Sequence, residues 1–205
     1  VIAPLPDTAL VREARALVTA ALDEGVLHHS LRAFHLGKVY AERRAIRFDE
    51  EELCLAALFH DLGLAPGRRP PKVAFTLAGS LALARFLDER GASRDRVARV
   101  TDAVDFHMQL LPRWSKGPAA GLLQIGAWMD VTGLRRGAIA SEARAIEEAL
   151  PAGDFRGDFN RRLLRTLDST AACLGLLLPT TVRAHARRTI AAHAASKKFV
   201  SEWPK

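Results

Sequence analysis

Cysteine is nearly absent from this 205-residue chain. Cys54 and Cys173 each sit inside an apolar run, and neither has a partner at metal-ligand spacing. That excludes a disulfide framework or a zinc–thiolate module and predicts buried, reduced thiols in a cytoplasmic protein. Long apolar runs are missing too. The longest stretch without a charged residue, Ser169–Val182, has 14 residues. A membrane-spanning helix needs roughly 18 or more, so no membrane partner is expected. The N-terminus carries no basic segment followed by an apolar one, and no signal peptide is expected. β-Branched residues are scarce: Val, Ile and Thr number 28, against 65 Ala and Leu. That bias favours helix over sheet. Aromatic residues make up only 6% of the chain and do not interleave with arginine clusters such as Arg161/Arg162/Arg165 and Arg183/Arg187/Arg188. The net charge of +7 thus comes without a stacking platform for bases, and nucleic acid is not an expected partner.

What remains is an ordinary globular composition, 49% hydrophobic and 26% charged. A chain of this length forms one domain, residues 1–205, and buries enough surface to need no covalent or metal staple. Helix signals follow one another with short punctuated links. Asp7 is expected to cap a first helix running to Gly25, and a second spans about Leu27–Arg44. Asp49 starts a third, with Glu52 completing an Asp variant of the capping box. That third segment, ELCLAALFHDLG, is apolar nearly all round and is expected to be the buried central helix, stopped by Gly63. Residues 65–72 and 110–118 read as loops. Further helices are expected at about Thr76–Glu89, Ser93–Met108, Ala119–Val131, Ile139–Leu150, Asn160–Leu178 and Thr180–Ala195.

The chemistry concentrates in a few positions. His60 and Asp61 lie together at the C-terminal end of the apolar helix, where each polar group must be hydrogen-bonded or metal-bound to be tolerated. A core histidine beside a capping aspartate satisfies that condition, and so does a divalent cation. Two further segments bear on the choice. HHSLRAFHLG (28–37) carries His29, and LLQIGAWMDVTG (122–133) has Asp130 as its one carboxylate. Asp130 stands near a helix C-terminus, an unfavourable place for a negative charge that a bound cation would compensate. The order is H…HD…D across three separate helices.

This order resembles the HD-domain superfamily of metal-dependent hydrolases. Within it the chain looks most similar to the small cyanamide-hydratase-like proteins. His28-His29-Ser30-Leu31-Arg32 resembles their N-H-S-x-R, with His28 in the Asn place. Leu58-Phe59-His60-Asp61-Leu62-Gly63 resembles L-x-H-D-[IL]-G, and Gly126-Ala127-Trp128-Met129-Asp130-Val131-Thr132-Gly133 resembles G-A-x-x-D-V-x-G. His107 matches a later histidine on the fifth helix. The resemblance covers about residues 27–133, with the helices of 139–195 expected to pack on that core. It implies an all-α HD-domain helical bundle and one divalent metal ion held by His29, His60, Asp61 and Asp130. Zinc is the first expectation for that ion, with iron or manganese as the other choices.

The departures from the family pattern shape the functional reading. Many HD phosphohydrolases place a Glu three residues after the His–Asp pair, where this chain has Leu64. The next family segment, F-E-V-D-G-A, reads Phe75-Thr76-Leu77-Ala78-Gly79-Ser80, without either carboxylate. Dinuclear members need two more histidines before the last Asp, and only His107 lies there. The leading expectation is therefore a hydrolase or hydratase that adds metal-activated water to a small nitrile-like, cyanamide-like or amide substrate. Catalytic residues would be His107, as a proton shuttle, and Arg32. Arg32 would hold an anionic substrate or pair with a carboxylate, and Thr76 would line the pocket beside Ser80. A phosphohydrolase acting on a nucleotide or other phosphate ester is the second reading, and a catalytically silent HD-fold binding module the third. Oligomeric state is open from the sequence.

Overall fold

The computed structural model describes residues 2–65, 74–155 and 157. Seven α-helices occupy most of them: α1 (Ala9–Ala21), α2 (Glu24–Arg43), α3 (Glu50–Phe59), α4 (Phe75–Asp88), α5 (Arg94–Phe106), α6 (Pro118–Thr132) and α7 (Ala140–Ala149). Short 3-10 turns lie at Leu62–Leu64, Trp114–Lys116 and Arg136–Ile139, and the described residues contain no strand. The all-α expectation holds. Its helices expected at Asn160–Leu178 and Thr180–Ala195, and Cys173, lie outside the described residues, as does most of the 65–72 loop.

Capping side chains set most of the starts. Thr8, not Asp7, caps α1 by accepting from the Val11 amide, while Asp7 pairs with Arg12. Asp23 accepts from the Val26 amide, so α2 begins three residues earlier than expected. Asp49 caps α3 through the Glu52 amide at 2.9 Å. The Glu52 carboxylate does not return to complete a box, because it pairs with Arg99 at 2.6 Å. Helix α3 also ends sooner than expected, at Phe59. His60 follows as its cap, and Asp61 leads into the Leu62–Leu64 turn.

Helix α3 is the central element. Leu53 to Phe59 are all buried, and α1, α2, α4, α5 and α6 all pack against it. Cys54 lies in this core, its thiol pushed up to about 12 by burial first and then by Glu50 and Glu51, so it is an inert core residue.

The most extensive helix pair is α2 with α6. A Cβ on Gly126 would stand 2.0 Å from the Ala33 carbonyl oxygen, and one on Gly37 would stand 2.8 Å from that of Leu122. Only glycine lets the two backbones come this close. Each step of four residues forward along α2 (29, 33, 37) meets a step of four back along α6 (130, 126, 122). The helices are therefore antiparallel, with their i±4 rows in register. That register sets His29 opposite Asp130. On the outer side of the pair, Ile139, Ala143 and Ile146 pack on Leu36, Ile125 and Met129.

Candidate metal centre

His29, His60 and Asp61 converge in the interior, each with about 1% exposure or less. Each offers one ligand atom, and the three atoms lie within 4.8 Å of one another. The edges of the triangle are 3.2 Å between the two Nε2 atoms, 3.5 Å from His29 Nε2 to Asp61 Oδ2, and 3.4 Å from His60 Nε2 to Asp61 Oδ2. Tetrahedral ligands at bond lengths of 2.0–2.1 Å stand about 3.3–3.4 Å apart. The triangle thus has the size of one face of a tetrahedral metal site.

Proton placement in the rings points the same way. His60 Nδ1–H donates to the Ala57 carbonyl at 2.7 Å, and His107 Nδ1–H to that of Val104 at 2.6 Å. His29 Nδ1–H donates to Asp130 Oδ2 at 2.7 Å. In His60 and His107, with Nδ1 carrying the proton of the neutral ring, Nε2 carries the lone pair. The Nε2 atoms of His29 and His60 face each other 3.2 Å apart, next to the Asp61 carboxylate. Neither oxygen of the Asp61 carboxylate has a hydrogen bond, and both are buried. An isolated buried carboxylate is costly. A proton or a divalent cation relieves this arrangement, and two imidazoles with one carboxylate make a good donor set for zinc or iron.

His107 belongs to the same cluster. Its Nε2 lies 3.7 Å from Asp61 Oδ1, buried and without a hydrogen bond, and its ring meets His60 edge-on at 4.7 Å. Phe75, at the start of α4, packs on its other side. Burial, followed by His60, pushes His107 down to about 3. The ring is therefore a neutral acceptor at pH 7. His60 is likewise lowered, chiefly by burial, with Asp61 opposing.

Asp130 sits one step outward. Its Oδ1 accepts from Arg32 Nε at 2.7 Å, and its Oδ2 accepts from Arg32 Nη2 at 2.8 Å and from His29 Nδ1. Burial alone would raise its pKa, but the hydrogen bonds from His29 and Arg32 outweigh that and hold it well below the carboxylate range. Asp130 is not one of the three converging donors. Of the two roles open to Arg32, the structure shows the carboxylate pairing. The side chain is buried, and Nη1 also donates to the carbonyls of Leu150 and Pro151. The charge of Asp130 at the end of α6 is thus met by a guanidinium.

Several contributors carried no recognisable signal in the sequence. Phe155 stacks on the His29 ring at 4.6 Å and 18°. Trp128 Nε1–H donates to the His107 carbonyl at 3.1 Å, and Gln124 Nε2 to that of Gln109 at 2.9 Å. Trp128 stood inside the quoted motif, but nothing in its spacing told that it ties down the end of α5. A cleft of about 360 Å³ lies beside the cluster, lined by Asp23, Glu24, His28 and residues 151–155. Phe155 forms its wall on the His29 side. Thr76 and Ser80 are both buried on α4, and the Ser80 hydroxyl is spent on the Leu77 carbonyl. His35 is buried, and burial followed by Lys38 lowers it to about 4. His185 and His193 lie outside the described residues.

Residues 26–149 match the HD domain family, and this is more than half of the chain. The chain belongs to the HD-domain family, a superfamily of metal-dependent hydrolases. No curated protein matches it. No described helix is long and apolar enough to cross a membrane.

Proposed function

We propose that this protein is a hydrolase or hydratase working with one divalent cation, zinc by preference, on a small nitrile-like, cyanamide-like or amide substrate. The observation that carries the reading is the His29–His60–Asp61 triangle, with edges of 3.2–3.5 Å around a buried carboxylate that has no hydrogen bond. His29, His60 and Asp61 would hold the cation through two Nε2 atoms and Oδ2. When bound, a divalent cation supplies an acidified water and a Lewis acid for an electrophilic carbon. The protein's part is to orient and to exclude solvent. His107 Nε2, unprotonated and next to Asp61, accepts a hydrogen bond from the attacking water and sets its direction. Phe155 and Phe75 close two sides with apolar surface, and Thr76 stands beside Phe75 on the α4 side.

Among the described residues, Arg32, which is bonded to the cluster through Asp130, is committed to that carboxylate and two carbonyls. That takes Arg32 out of the case for a phosphate ester and supports an uncharged substrate. Zinc-loaded protein should be assayed on cyanamide, a simple nitrile, a primary amide and a phosphomonoester. Turnover of one of the first three, abolished in Asp61→Asn, is expected. Turnover of the phosphomonoester alone would favour the phosphohydrolase. No turnover by metal-replete protein would favour a binding module.

A further inference from the structure

We propose that Phe155 is a door between the cleft of residues 151–155 and the His29–His60–Asp61 cluster, and that the cation and a small substrate enter through it. The inference rests on the proposed metal chemistry and adds its access route, with a residue that limits the size of what passes. His29, His60, Asp61 and His107 are each 1% exposed or less. A site that takes up an ion and a substrate cannot stay closed to both. The cleft beside it, about 360 Å³, has the volume of a small-ligand pocket. Phe155 lines that cleft, whereas His29 does not reach it. The Phe155 ring lies on the His29 imidazole, 4.6 Å between centroids and 18° from parallel. One aromatic side chain therefore separates the cleft from the ring of a candidate metal ligand.

The segment that carries Phe155 is pinned at its base and open at its tip. Arg32 Nη1 donates to the carbonyls of Leu150 at 3.0 Å and Pro151 at 3.2 Å. His28 Nδ1–H donates to the Pro151 carbonyl at 3.1 Å. These bonds fix the chain where it leaves α7. Beyond them Gly153 takes a positive φ of 50°, and a Cβ there would meet nothing within 4 Å. The chain then turns back through a bond from the Phe155 amide to the Ala152 carbonyl at 2.9 Å. Gates turn on a few loop positions that absorb the change in backbone angles, often small residues. Ala152 and Gly153, on the cleft side of the pinned base, are such positions. Swinging the Phe155 ring off His29 leaves the Arg32 and His28 bonds in place.

A door and a prop predict different kinetics for Phe155→Ala. A door slows entry and exit alike, so its loss speeds zinc uptake and zinc release together. With an open state populated at about 0.1–10%, uptake should rise about 10–1,000-fold. A side chain that only props the His29 ring contributes to affinity, so its loss speeds release and leaves uptake as it was. Stopped-flow mixing of the metal-free full chain with zinc reads uptake, and transfer to a chelator reads release. Faster uptake and release in Phe155→Ala is the expected result, and uptake at the wild-type rate overturns the inference. The route is tested separately with Asp154→Cys, at an exposed position on the cleft, by capping the new thiol with a bulky maleimide. Slower uptake after capping is expected, and unchanged uptake overturns the cleft as entrance. Wild type given the same reagent controls for Cys54 and Cys173. Should Phe155→Ala unfold, Phe155→Leu keeps apolar volume without the flat ring, and the same uptake comparison decides. A wild-type chain that takes up no zinc overturns this inference together with the proposed function. Wild-type uptake kinetics in a variant that still binds zinc overturn the door alone.

Discussion

Replacing Gly126 by alanine tests whether the α2–α6 register builds the site. The new Cβ would lie 2.0 Å from the Ala33 carbonyl oxygen, 2.9 Å from its carbon and 3.0 Å from the Gly37 nitrogen. All three are backbone atoms, so no side chain can swing aside. Ordinary contact begins near 3.4 Å, and the helices must therefore separate locally by more than an ångström. Overpacking costs about 1–3 kcal/mol, and a rigid backbone neighbour places this case at the upper end. Alanine regains roughly 1 kcal/mol of helix propensity over glycine. The net expectation is a destabilisation of about 1–2 kcal/mol, which lowers Tm by about 2–8 °C in a chain this size. The His29–Asp130 bond lies one turn along the same interface, so zinc affinity should fall as well. Calorimetry and chelator competition read the two effects. Gly137→Ala is the control, since a Cβ there meets nothing within 4 Å, and its Tm should stay level or rise slightly. A Gly126→Ala protein with wild-type Tm and zinc affinity would refute the argument that close backbone approach holds the site in register.

Asp61→Asn should have two opposed effects. The metal-free chain should gain on the order of 1–3 kcal/mol, because a buried charge without a hydrogen bond is removed, while the rise in Tm on adding zinc should disappear. A metal-free variant less stable than wild type would count against the buried, uncompensated carboxylate. His107→Ala should keep its zinc and lose turnover, and elemental analysis showing lost zinc would make His107 a ligand instead. His35 supplies a pH test away from the metal. Its folded pKa is depressed to about 4, so the neutral ring is favoured by folding. The stability it contributes is complete above the unfolded value near 6.5 and is lost as pH falls toward 4. That loss amounts to about 2–3 kcal/mol, and urea midpoints of His35→Gln should decline less than wild type over this window. Parallel declines in the two proteins would refute it.

Local signals carried the helical architecture because each depends on only a few neighbouring residues. Asp49 caps α3 through an amide three residues away, and the apolar run behind it must be buried whatever the rest of the chain does. His60 and Asp61 were legible for the same reason, as two polar groups at the end of that run. His29 and Asp130 were legible through motif order, but their relation to each other was not. A sequence says that both residues occur. It does not say which ring nitrogen faces which carboxylate, since that follows from the approach of α2 to α6 at Gly37 and Gly126. The role of Arg32 was decided in the same way. Spacing placed it on the His29 face of α2, while only the fold brought Asp130 and the carbonyls of Leu150 and Pro151 onto its guanidinium. Phe155 shows the limit most plainly. It is 126 residues from His29 along the chain and stacks on its ring, a contact that no periodicity, cap or motif encodes because nothing local produces it.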